Sequence, residues 1–235
     1  MVDESVELVG SFTEGDLVLI DPFIKAIEPH VDFKDVKTIL DIGSRDLEQS
    51  KELHTVFPHA HIHAFEPNPE SYAKCVEECP PYVTVHPYAV LDYDGETTFY
   101  NVPQAENKGA SSIFEPTEFV VGVDMMTIEK IKVPTTRIDS WAKGMGINSI
   151  DLCWLDVQGA EIPALKGFGS LLGTVQAIAT EAETGALYFG NRKYEPTQYN
   201  ELKEYLEEQG FEETSYDQPW PFECDITYVR RKKWT

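Results

Sequence analysis

Strand-like apolar runs alternate with helix-like segments along most of this 235-residue chain, and that alternation limits its fold more than any other feature. Strands joined through helices pair in parallel by right-handed crossovers, which place helices on both faces of the sheet. The runs are almost continuously apolar, as is typical of strands covered on both faces. They predict five core strands: KTILDI (37–42), HIHAFE (61–66), YVTVHPYAV (82–90), IDLCWLDV (150–157) and VQAIATEA (175–182).

The end of the chain follows a different order. Residues 197–209 place apolar side chains on one helical stripe, and Gly210 ends that segment. Two strand patterns, at about 211–216 and 224–230, come in close succession and indicate an antiparallel hairpin at the sheet edge. The sequence therefore predicts an α/β fold, with a doubly wound, mostly parallel seven-stranded sheet, helices on both faces and an antiparallel strand at the edge.

A β insertion, at about 91–149, is expected between strands three and four. It holds a turn and strand in DYDGETTFYN, a short strand in IKVPTTRI, and a helix for which Asp139 is the predicted N-cap. Its loop NKGASSIFEP carries Ser111 and Ser112, and is expected to be either a lid over a ligand or a plain polar loop.

The predicted domain organisation is a helical lead-in over 1–36 followed by a single domain over 37–235. The lead-in contains LVLIDPFIKAIEPHV, which is expected either to cover the cofactor or to build a homodimer contact. A helix whose first residue is Pro69 is predicted after strand two, capped by Asn68. The next helix after strand four is predicted from about Glu161 to Leu172.

Charge and composition exclude several classes of function. Asp and Glu number 41 against 19 Lys and Arg, so the net charge is −22 and a phosphate backbone or an anionic membrane would be repelled. The N-terminal residues lack a basic region followed by an apolar run, and no apolar stretch reaches the ~18 residues that span a membrane. The expectation is a cytoplasmic protein that binds no nucleic acid. The four cysteines form no CxxC pair, and Cys75 and Cys79, four residues apart on an apolar helical face, are predicted to be core thiols.

Ligands of open parallel sheets bind at the carboxyl ends of the strands, near the point where the strand order reverses. Acidic or small residues follow nearly every predicted strand: Asp41, Gly43 and Ser44; Glu66 and Pro67; Tyr88 and Ala89; Asp156 and Glu161; Glu181 and Glu183. Glu66 lies 23 residues beyond Gly43 and at the end of the next strand. An acid about 20 residues past a glycine turn accepts hydrogen bonds from ribose hydroxyls in dinucleotide folds, which favours that role over a simple helix-flanking charge.

The turn after the first strand, DIGSRDLEQS, holds a single glycine. A pyrophosphate needs several free amides at close range, and turns that bind it carry more glycines. S-adenosylmethionine has no phosphate, and its sulfonium and amino groups suit a turn flanked by carboxylates. The missing glycines therefore argue against NAD more strongly than they argue against a cofactor site in general.

Three acids at strand ends, Asp156, Glu161 and Glu181, are candidate catalytic groups because a hydroxyl acceptor must lose a proton. Asp156 is the first choice, whereas Glu161 is as well explained by a favourable position in the first turn of a helix. A divalent cation held by such carboxylates stays an alternative, but the prediction is a site without metal. The histidines of HAHIH fall at the start of their strand, away from the ligand-binding end, and are predicted to be structural. After strand five, ETGALYFGNRKYEP supplies Tyr188 and Arg192 as candidate acceptor-binding residues, together with Ser111 and Ser112.

Several segments over about residues 37–212 resemble, in sequence and in order, the FkbM family of S-adenosylmethionine-dependent methyltransferases: TILDIGSRDLEQS, HAFEPNPESY, VHPYAVLDYDGETTFY, VPTTRIDSWAKGMGINSIDLCWLDVQGAEIPALKGF and the late Y…L…L…GF. The combination of FEPNP with LDVQGAE…LKG is fairly specific. The resemblance implies a class I, Rossmann-like methyltransferase fold and methyl transfer to a hydroxyl oxygen. It assigns Asp41, Gly43 and Ser44 to the cofactor loop, Glu66 to the ribose, Tyr88 and Ala89 to the adenine edge, and Asp156 to the strand-four acid. Leu47 departs from the family, in which many members have a second glycine.

The expected function is thus O-methylation of a small hydroxyl-bearing acceptor, such as a sugar, glycolipid or secondary metabolite. Two alternatives remain open. One is a methyltransferase fold that binds a ligand or partner without chemistry, since function lies in the site rather than in the fold. The other is an NAD-dependent dehydrogenase, against which stands the single glycine.

Overall fold

A computed structural model describes residues 20–102, 108–117 and 128–232 of the protein. The described strands are β1 Thr38–Ile42, β2 His61–Phe65, β3 Val83–His86, β4 Ala89–Val90, β5 Gly95–Asn101, β6 Glu115–Pro116, β7 Glu129–Thr136, β8 Leu152–Leu155, β9 Ala177–Glu183, β10 Tyr188–Phe189, β11 Phe211–Trp220 and β12 Glu223–Arg230. The described helices are α1 Asp21–Ile27, α2 Glu48–Val56, α3 Pro69–Glu77, α4 Ile138–Met145, α5 Glu161–Lys166 and α6 Tyr199–Glu208. No helix in these ranges combines the length and apolar character that a membrane span needs.

Seven strands form the central sheet, in the order β3-β2-β1-β8-β9-β12-β11. The five strands from β3 to β9 run parallel, and β12 runs antiparallel to both β9 and β11. The predicted fold class is confirmed. Within the C-terminal hairpin, the antiparallel strand is the inner one, and β11 forms the sheet edge. The strand order reverses between β1 and β8, so the expected ligand site is at the carboxyl ends of these two strands.

Helices cover both faces of this sheet, as the continuously apolar strands require. Along β1, Ile39 packs with α1, α2 and α3 on one face, whereas Leu40 and Ile42 pack with α4, α5 and α6 on the other. Each such side chain is at most 1% exposed. Complete burial of an Ile or Leu side chain contributes about 1.5–3 kcal/mol, so the two layers of core hold the sheet between them.

Helix α1, the described part of the N-terminal lead-in, belongs to this core. Its Phe23 and Ile27 are buried, and the Phe23 ring meets the Trp154 ring edge-on with centroids 5.9 Å apart. The helix lies against β11 and β12 at the hairpin end of the sheet.

The segment predicted as one third strand, 82–90, is two strands in two different sheets. Strand β3 pairs with β2, whereas β4 pairs with β7 in a smaller sheet of order β4-β7-β5. Pro87 separates them, because proline has no backbone N–H to donate to a sheet ladder. The chain therefore leaves the central sheet at Pro87, and Tyr88 and Ala89 lie where the two sheets meet.

Two helix predictions were also wrong in detail. Arg137, not Asp139, is the N-cap of α4; Asp139 lies in the first turn and accepts hydrogen bonds from Arg137 Nε at 2.8 Å and Nη2 at 2.5 Å. The guanidinium thus engages the carboxylate that would otherwise cap the helix. The single helix expected up to Leu172 ends at Lys166, and a separate 3-10 turn follows over Gly169–Thr174, because Gly169 takes a φ of +53° that interrupts an α-helix.

Candidate functional site

A cleft opens at the carboxyl ends of β1, β2 and β8, where the sheet topology places it. Its empty volume, open mouth included, is about 770 Å³. The insertion closes one side through β5 and the segment 109–113. The lining residues are Ile42, Gly43, Arg45, Gln49, Phe65, Glu66, Pro67, Asn68, Ser71, Tyr88, Ala89, Val90, Leu91, Phe99, Gly109, Ser111, Ile113, Asp156, Val157, Gln158 and Ala160.

The turn after β1 requires its single glycine for two reasons. Gly43 has a φ of +91°, a conformation that other residues rarely adopt. A Cβ atom at this position would also lie 1.7 Å from the carbonyl oxygen of Asp156. The amides of Gly43 and Ser44 both donate to the carbonyl of Phe65, at 3.0 and 3.1 Å. The turn is therefore held between the ends of β2 and β8, at the floor of the cleft.

Leu47, where many family members have a second glycine, keeps a glycine-like backbone conformation. Its φ is +65°, and its side chain is fully buried in the core. A left-handed leucine costs about 1–2 kcal/mol, which the burial of the side chain offsets. The departure at Leu47 is thus consistent with an intact turn.

Glu66 presents a buried carboxylate to the cleft and is held entirely by backbone donors. The amide of Arg45 donates to Oε2 at 2.9 Å, and the amide of Asn68 donates to Oε1 at 2.7 Å. Burial raises the pKa of Glu66 to about 7, although these two N–H groups pull it down. Asn68 also caps α3, accepting from Glu70 and Ser71 amides at 2.9 and 3.4 Å, which confirms the predicted cap before Pro69.

An apolar wall lines the same cleft as Glu66. It is formed by Tyr88, Ala89, Val90 and Leu91 together with Phe99 of the insertion. The wall is tied to the strand-two end, because the Asn68 side-chain amide donates to Asn101 Oδ1 at 2.6 Å. The cleft thus combines a carboxylate that can accept from two hydroxyls with a wall suited to a flat ring, and an adenosine group fits this combination.

Asp41 and Ser44 lie behind the cleft and do not line it. Both are buried, and Asp41 Oδ2 accepts a short hydrogen bond from the hydroxyl of Ser50 on α2. Burial raises the pKa of Asp41 to about 6, against the effect of that hydrogen bond. The hydrogen bond between Asp41 and Ser50 joins the end of β1 to α2. The partner Ser50 was missed by the sequence analysis, because a serine within a helical pattern carries no sign of its contact.

At the ends of β8 and β9, one glutamine joins two carboxylates. The Nε2 of Gln158 donates to Asp156 Oδ1 at 2.7 Å and to Glu181 Oε2 at 3.1 Å. Burial raises the pKa of both acids. Gln158 has a left-handed φ of +50°, which bends the backbone after β8 at the residue that carries this side chain. The sequence analysis did not single out Gln158, although this residue lies within the LDVQGAE segment that carries the family resemblance.

The hairpin adds further carboxylates to the same side of the sheet. Glu223 and Asp225 of β12 pair directly with Glu183 and Glu181 of β9, and direct antiparallel partners share a face. Burial and the Asp156 charge raise the pKa of both Glu223 and Asp225. These two acids were not found from the sequence, because the register of the hairpin decides which residue faces Glu181.

The four residues expected to bind the acceptor occupy different positions. Ser111 lines the cleft. Ser112 and Tyr188 instead hold Gln158: the Ser112 hydroxyl donates to its backbone oxygen at 2.7 Å, and the Tyr188 hydroxyl donates to Oε1 at 2.8 Å. Arg192 is exposed on the loop after β10, outside the lining of the cleft.

Glu161, the third candidate base, is buried in the first turn of α5 rather than in the cleft. Its Oε1 accepts from the Gly159 amide at 3.1 Å, and burial raises its pKa to about 8. Of the eight residues expected to bind a cofactor, the structure brings six to the cleft: Gly43, Glu66, Pro67, Tyr88, Ala89 and Asp156.

Histidines and acids in the described ranges form no group of three or more with the arrangement that a metal ion needs. His63 Nδ1 lies 3.2 Å from His86 Nε2, and both rings pack against Trp141. Burial lowers the pKa of His63 to about 3 and that of His86 to about 4, so both are neutral parts of the core.

The protein family and the curated relative that this chain matches are methyltransferases. The family model described as the methyltransferase FkbM domain matches residues 41–213. The 2-O-methyltransferase NoeI of Sinorhizobium fredii (strain NBRC 101917 / NGR234) is 31% identical over 159 residues, and the match spans 65% of this chain and 65% of that relative. Among solved structures, M. capricolum TrmK in complex with S-adenosylhomocysteine has a TM-score of 0.50 at 8% identity, covering 92% of this chain and 70% of that one. The N-terminal domain of EvdMO1 with S-adenosylhomocysteine bound has a TM-score of 0.48 at 12% identity, covering 91% and 82%. At these identities the structural likeness concerns the fold alone.

Proposed function

Because this chain belongs to the FkbM methyltransferase family, we propose that it is an S-adenosylmethionine-dependent O-methyltransferase acting on a hydroxyl group of a small molecule. The observation that carries the proposal is the cleft itself. A ribose-type carboxylate, Glu66, and an acid suited to the reacting centre, Asp156, line one cavity at the reversal of strand order.

The cofactor is assigned by what each part of the cleft can hold. Glu66 would accept hydrogen bonds from both ribose hydroxyls, and the wall of Tyr88 to Leu91 with Phe99 would hold the adenine. The turn at Gly43 would lie against the amino-acid end. When bound, S-adenosylmethionine supplies an electrophilic methyl group on a sulfonium. The lining carboxylates favour that positive charge, and Asp156 lies where the turn and β8 meet.

The residues after β8 and β9 are proposed to hold the acceptor and to take its proton. Asp156 is the first candidate base because it lines the cleft, and Gln158 links it to Glu181. Burial raises the pKa of both carboxylates, which makes them stronger bases than exposed carboxylates. Glu161 would contribute indirectly, by fixing the Gly159 amide. Alignment of acceptor oxygen, methyl carbon and sulfur would supply several kcal/mol of the barrier reduction, up to ~7–11 in ideal cases.

The acceptor is proposed to be a sugar, a glycolipid or a secondary metabolite. The 2-O-methyltransferase NoeI, at 31% identity, supports transfer to a hydroxyl oxygen. Ser111 is placed to contact the acceptor or cofactor directly, whereas Ser112 and Tyr188 would act by positioning Gln158. Arg192 would contribute only at the mouth. The cytoplasmic location and the homodimer stay predictions from the sequence.

Calorimetric titration tests the cofactor first, with S-adenosylmethionine, S-adenosylhomocysteine and NAD as ligands. We expect micromolar binding of the two sulfur ligands and none of NAD. Glu66→Ala should weaken binding about 100-fold, since hydrogen bonds to a charged group contribute about 1.5–3 kcal/mol each. Glu70→Ala is the matched control, because Glu70 is exposed on α3 and does not line the cleft.

Turnover then separates catalysis from binding alone. A panel of sugars, glycolipids and phenolic metabolites is incubated with S-adenosylmethionine, and S-adenosylhomocysteine is measured as the product. Binding without turnover on any acceptor would favour a non-catalytic ligand-binding protein. Failure of both sulfur ligands to bind would refute the proposed function.

A further inference from the structure

Arg45 follows the glycine turn and directs its side chain into the cleft. Among the described residues that line the cleft, it is the only one with a cationic side chain, whereas Glu66 and Asp156 are anionic. We propose that the Arg45 guanidinium binds the carboxylate at the amino-acid end of S-adenosylmethionine. This inference rests on the proposed function and adds a cofactor-binding residue that lies outside the sequence-derived set.

The orientation of the guanidinium supports this role. Its Nε donates to Asp46 at 2.8 Å, and Nη2 lies 3.6 Å from a carboxylate oxygen of Glu48. These contacts hold one edge of the group. The other terminal nitrogen, Nη1, lies towards Gly109, only 3.5 Å from the point where a Cβ of that glycine would be. Within the described ranges no hydrogen bond joins Nη1 to another residue, so it keeps donors for a ligand carboxylate.

The charge balance of the cleft points to an anionic group at this position. A ligand carboxylate entering a protein of net charge −22, beside Glu66 and Asp156, is repelled unless a cation lies nearby. Arg45 is half-buried at the mouth of the turn, where a charge-assisted hydrogen bond is stronger than at an open surface. The sulfonium and ammonium groups of the same ligand would face the carboxylates instead.

One residue would thus fix both ends of the cofactor. The backbone amide of Arg45 donates to Glu66 Oε2 at 2.9 Å, which orients the ribose-binding carboxylate. The side chain of the same residue extends towards Gly109. With adenosine placed at Glu66 and the apolar wall, the amino-acid end of the cofactor has to extend along this turn. The left-handed φ of +50° at Arg45 lets amide and guanidinium face the cleft together.

The test is a cycle in which the protein and the ligand each lose one charged group. Calorimetry compares S-adenosylmethionine with decarboxylated S-adenosylmethionine, for the wild type and for Arg45→Gln. We expect the wild type to prefer the carboxylate-bearing ligand by about 30-fold, a typical effect of one charged hydrogen-bonded pair. Arg45→Gln should lose that preference, by weakening S-adenosylmethionine about 30-fold and the decarboxylated ligand less than about twofold.

Two further variants keep the result interpretable. Arg45→Asn removes the charge with a residue that tolerates a left-handed backbone, and it should behave like Arg45→Gln. Lys74→Gln removes a positive charge from an exposed site on α3 that does not line the cleft, and it should change neither affinity. Thermal unfolding of each variant checks that the turn still folds.

The outcomes separate this proposal from the proposed function. If both ligands weaken equally in Arg45→Gln and Arg45→Asn, the residue only shapes the turn, and the inference is overturned while cofactor binding stands. The same holds if neither ligand weakens. If the wild type binds neither ligand, the proposed function and this inference fail together.

Discussion

The cleft and the acids packed around it form two halves, which hold their acids in different ways. In the half formed by β1 and β2, Glu66 is held by two backbone amides, and Gly43, Arg45 and Leu47 take left-handed conformations. In the half formed by β8, β9 and β12, carboxylates face one another and share a side-chain donor, Gln158. The first half is shaped by backbone geometry and the second by side chains from distant segments. We expect the first to be intolerant of backbone changes and the second to be sensitive to pH.

Gly43→Ala should have the largest effect, because it forces a side chain into the junction of the two halves. The added Cβ would lie 1.7 Å from the Asp156 carbonyl oxygen, and φ is +91°. Denaturant unfolding should show a loss of more than about 4 kcal/mol. Gly146→Ala is the control: φ is +74° but nothing lies within 4 Å, so the loss should be about 1 kcal/mol. Similar losses at the two glycines would contradict the proposed rigidity of the turn.

Stability should fall as the pH rises from about 6.5 to 8, mainly because of the side-chain half; below about 6.5 the buried neutral His63 and His86, whose pKa values burial lowers, oppose this trend. Burial raises the pKa of Glu161 to about 8 and that of Glu183 to about 7; Glu66, at about 7, and Asp41, at about 6, add to the same trend. Between the ordinary and the raised pKa the folded state binds more protons than the unfolded state, so unfolding becomes easier at higher pH. Glu161 alone should contribute on the order of 3 kcal/mol.

Glu161→Gln isolates this contribution. The amide can still accept from the Gly159 amide but does not ionise, so the slope of stability against pH should become flatter. The variant should exceed the wild type in stability at pH 8.5, measured by urea unfolding. An unchanged slope would assign the effect to other groups.

Leu47→Gly tests whether backbone strain or side-chain burial dominates in the first half. Glycine removes a strain of about 1–2 kcal/mol at φ +65°, but loses a fully buried leucine, which costs about 2–5 kcal/mol. The net loss in urea unfolding should be about 2 kcal/mol. Leu47→Ala keeps much of the strain and should lose more than the glycine variant. The reverse order would mean that the left-handed conformation carries little strain.

Tyr188→Phe should have the smallest effect. It removes the hydroxyl that donates to Gln158 Oε1 at 2.8 Å, with the Ala110 backbone oxygen at 3.2 Å as a second acceptor, and this contact is worth about 1 kcal/mol. Affinity for S-adenosylhomocysteine should stay within about twofold, because Tyr188 lies outside the cleft lining. Tyr216→Phe, at an exposed tyrosine, should leave the urea midpoint unchanged. A large loss of cofactor affinity in Tyr188→Phe would show that the halves are not separable.

The half built from local backbone was largely predictable from the sequence. A buried strand, a glycine turn, an acid 23 residues later and the Asn68-Pro69 helix start all depend on residues close together in the chain. The prediction was wrong where local patterns compete. Pro87 divides the expected third strand into β3 and β4, and Arg137 binds the Asp139 carboxylate that was predicted to cap α4.

By itself, the sequence determined the alternation of strands and helices, the parallel sheet and the edge at which the cleft opens, because hydrophobic period and turn chemistry act over a few residues. Only the tertiary structure decided which polar groups meet. Ser50 reaches Asp41, Gln158 joins Asp156 to Glu181, and Glu223 faces Glu183. These contacts depend on strand order, on hairpin register and on a bent backbone after β8. No local pattern encodes them, because each joins segments that approach only when the whole sheet has formed.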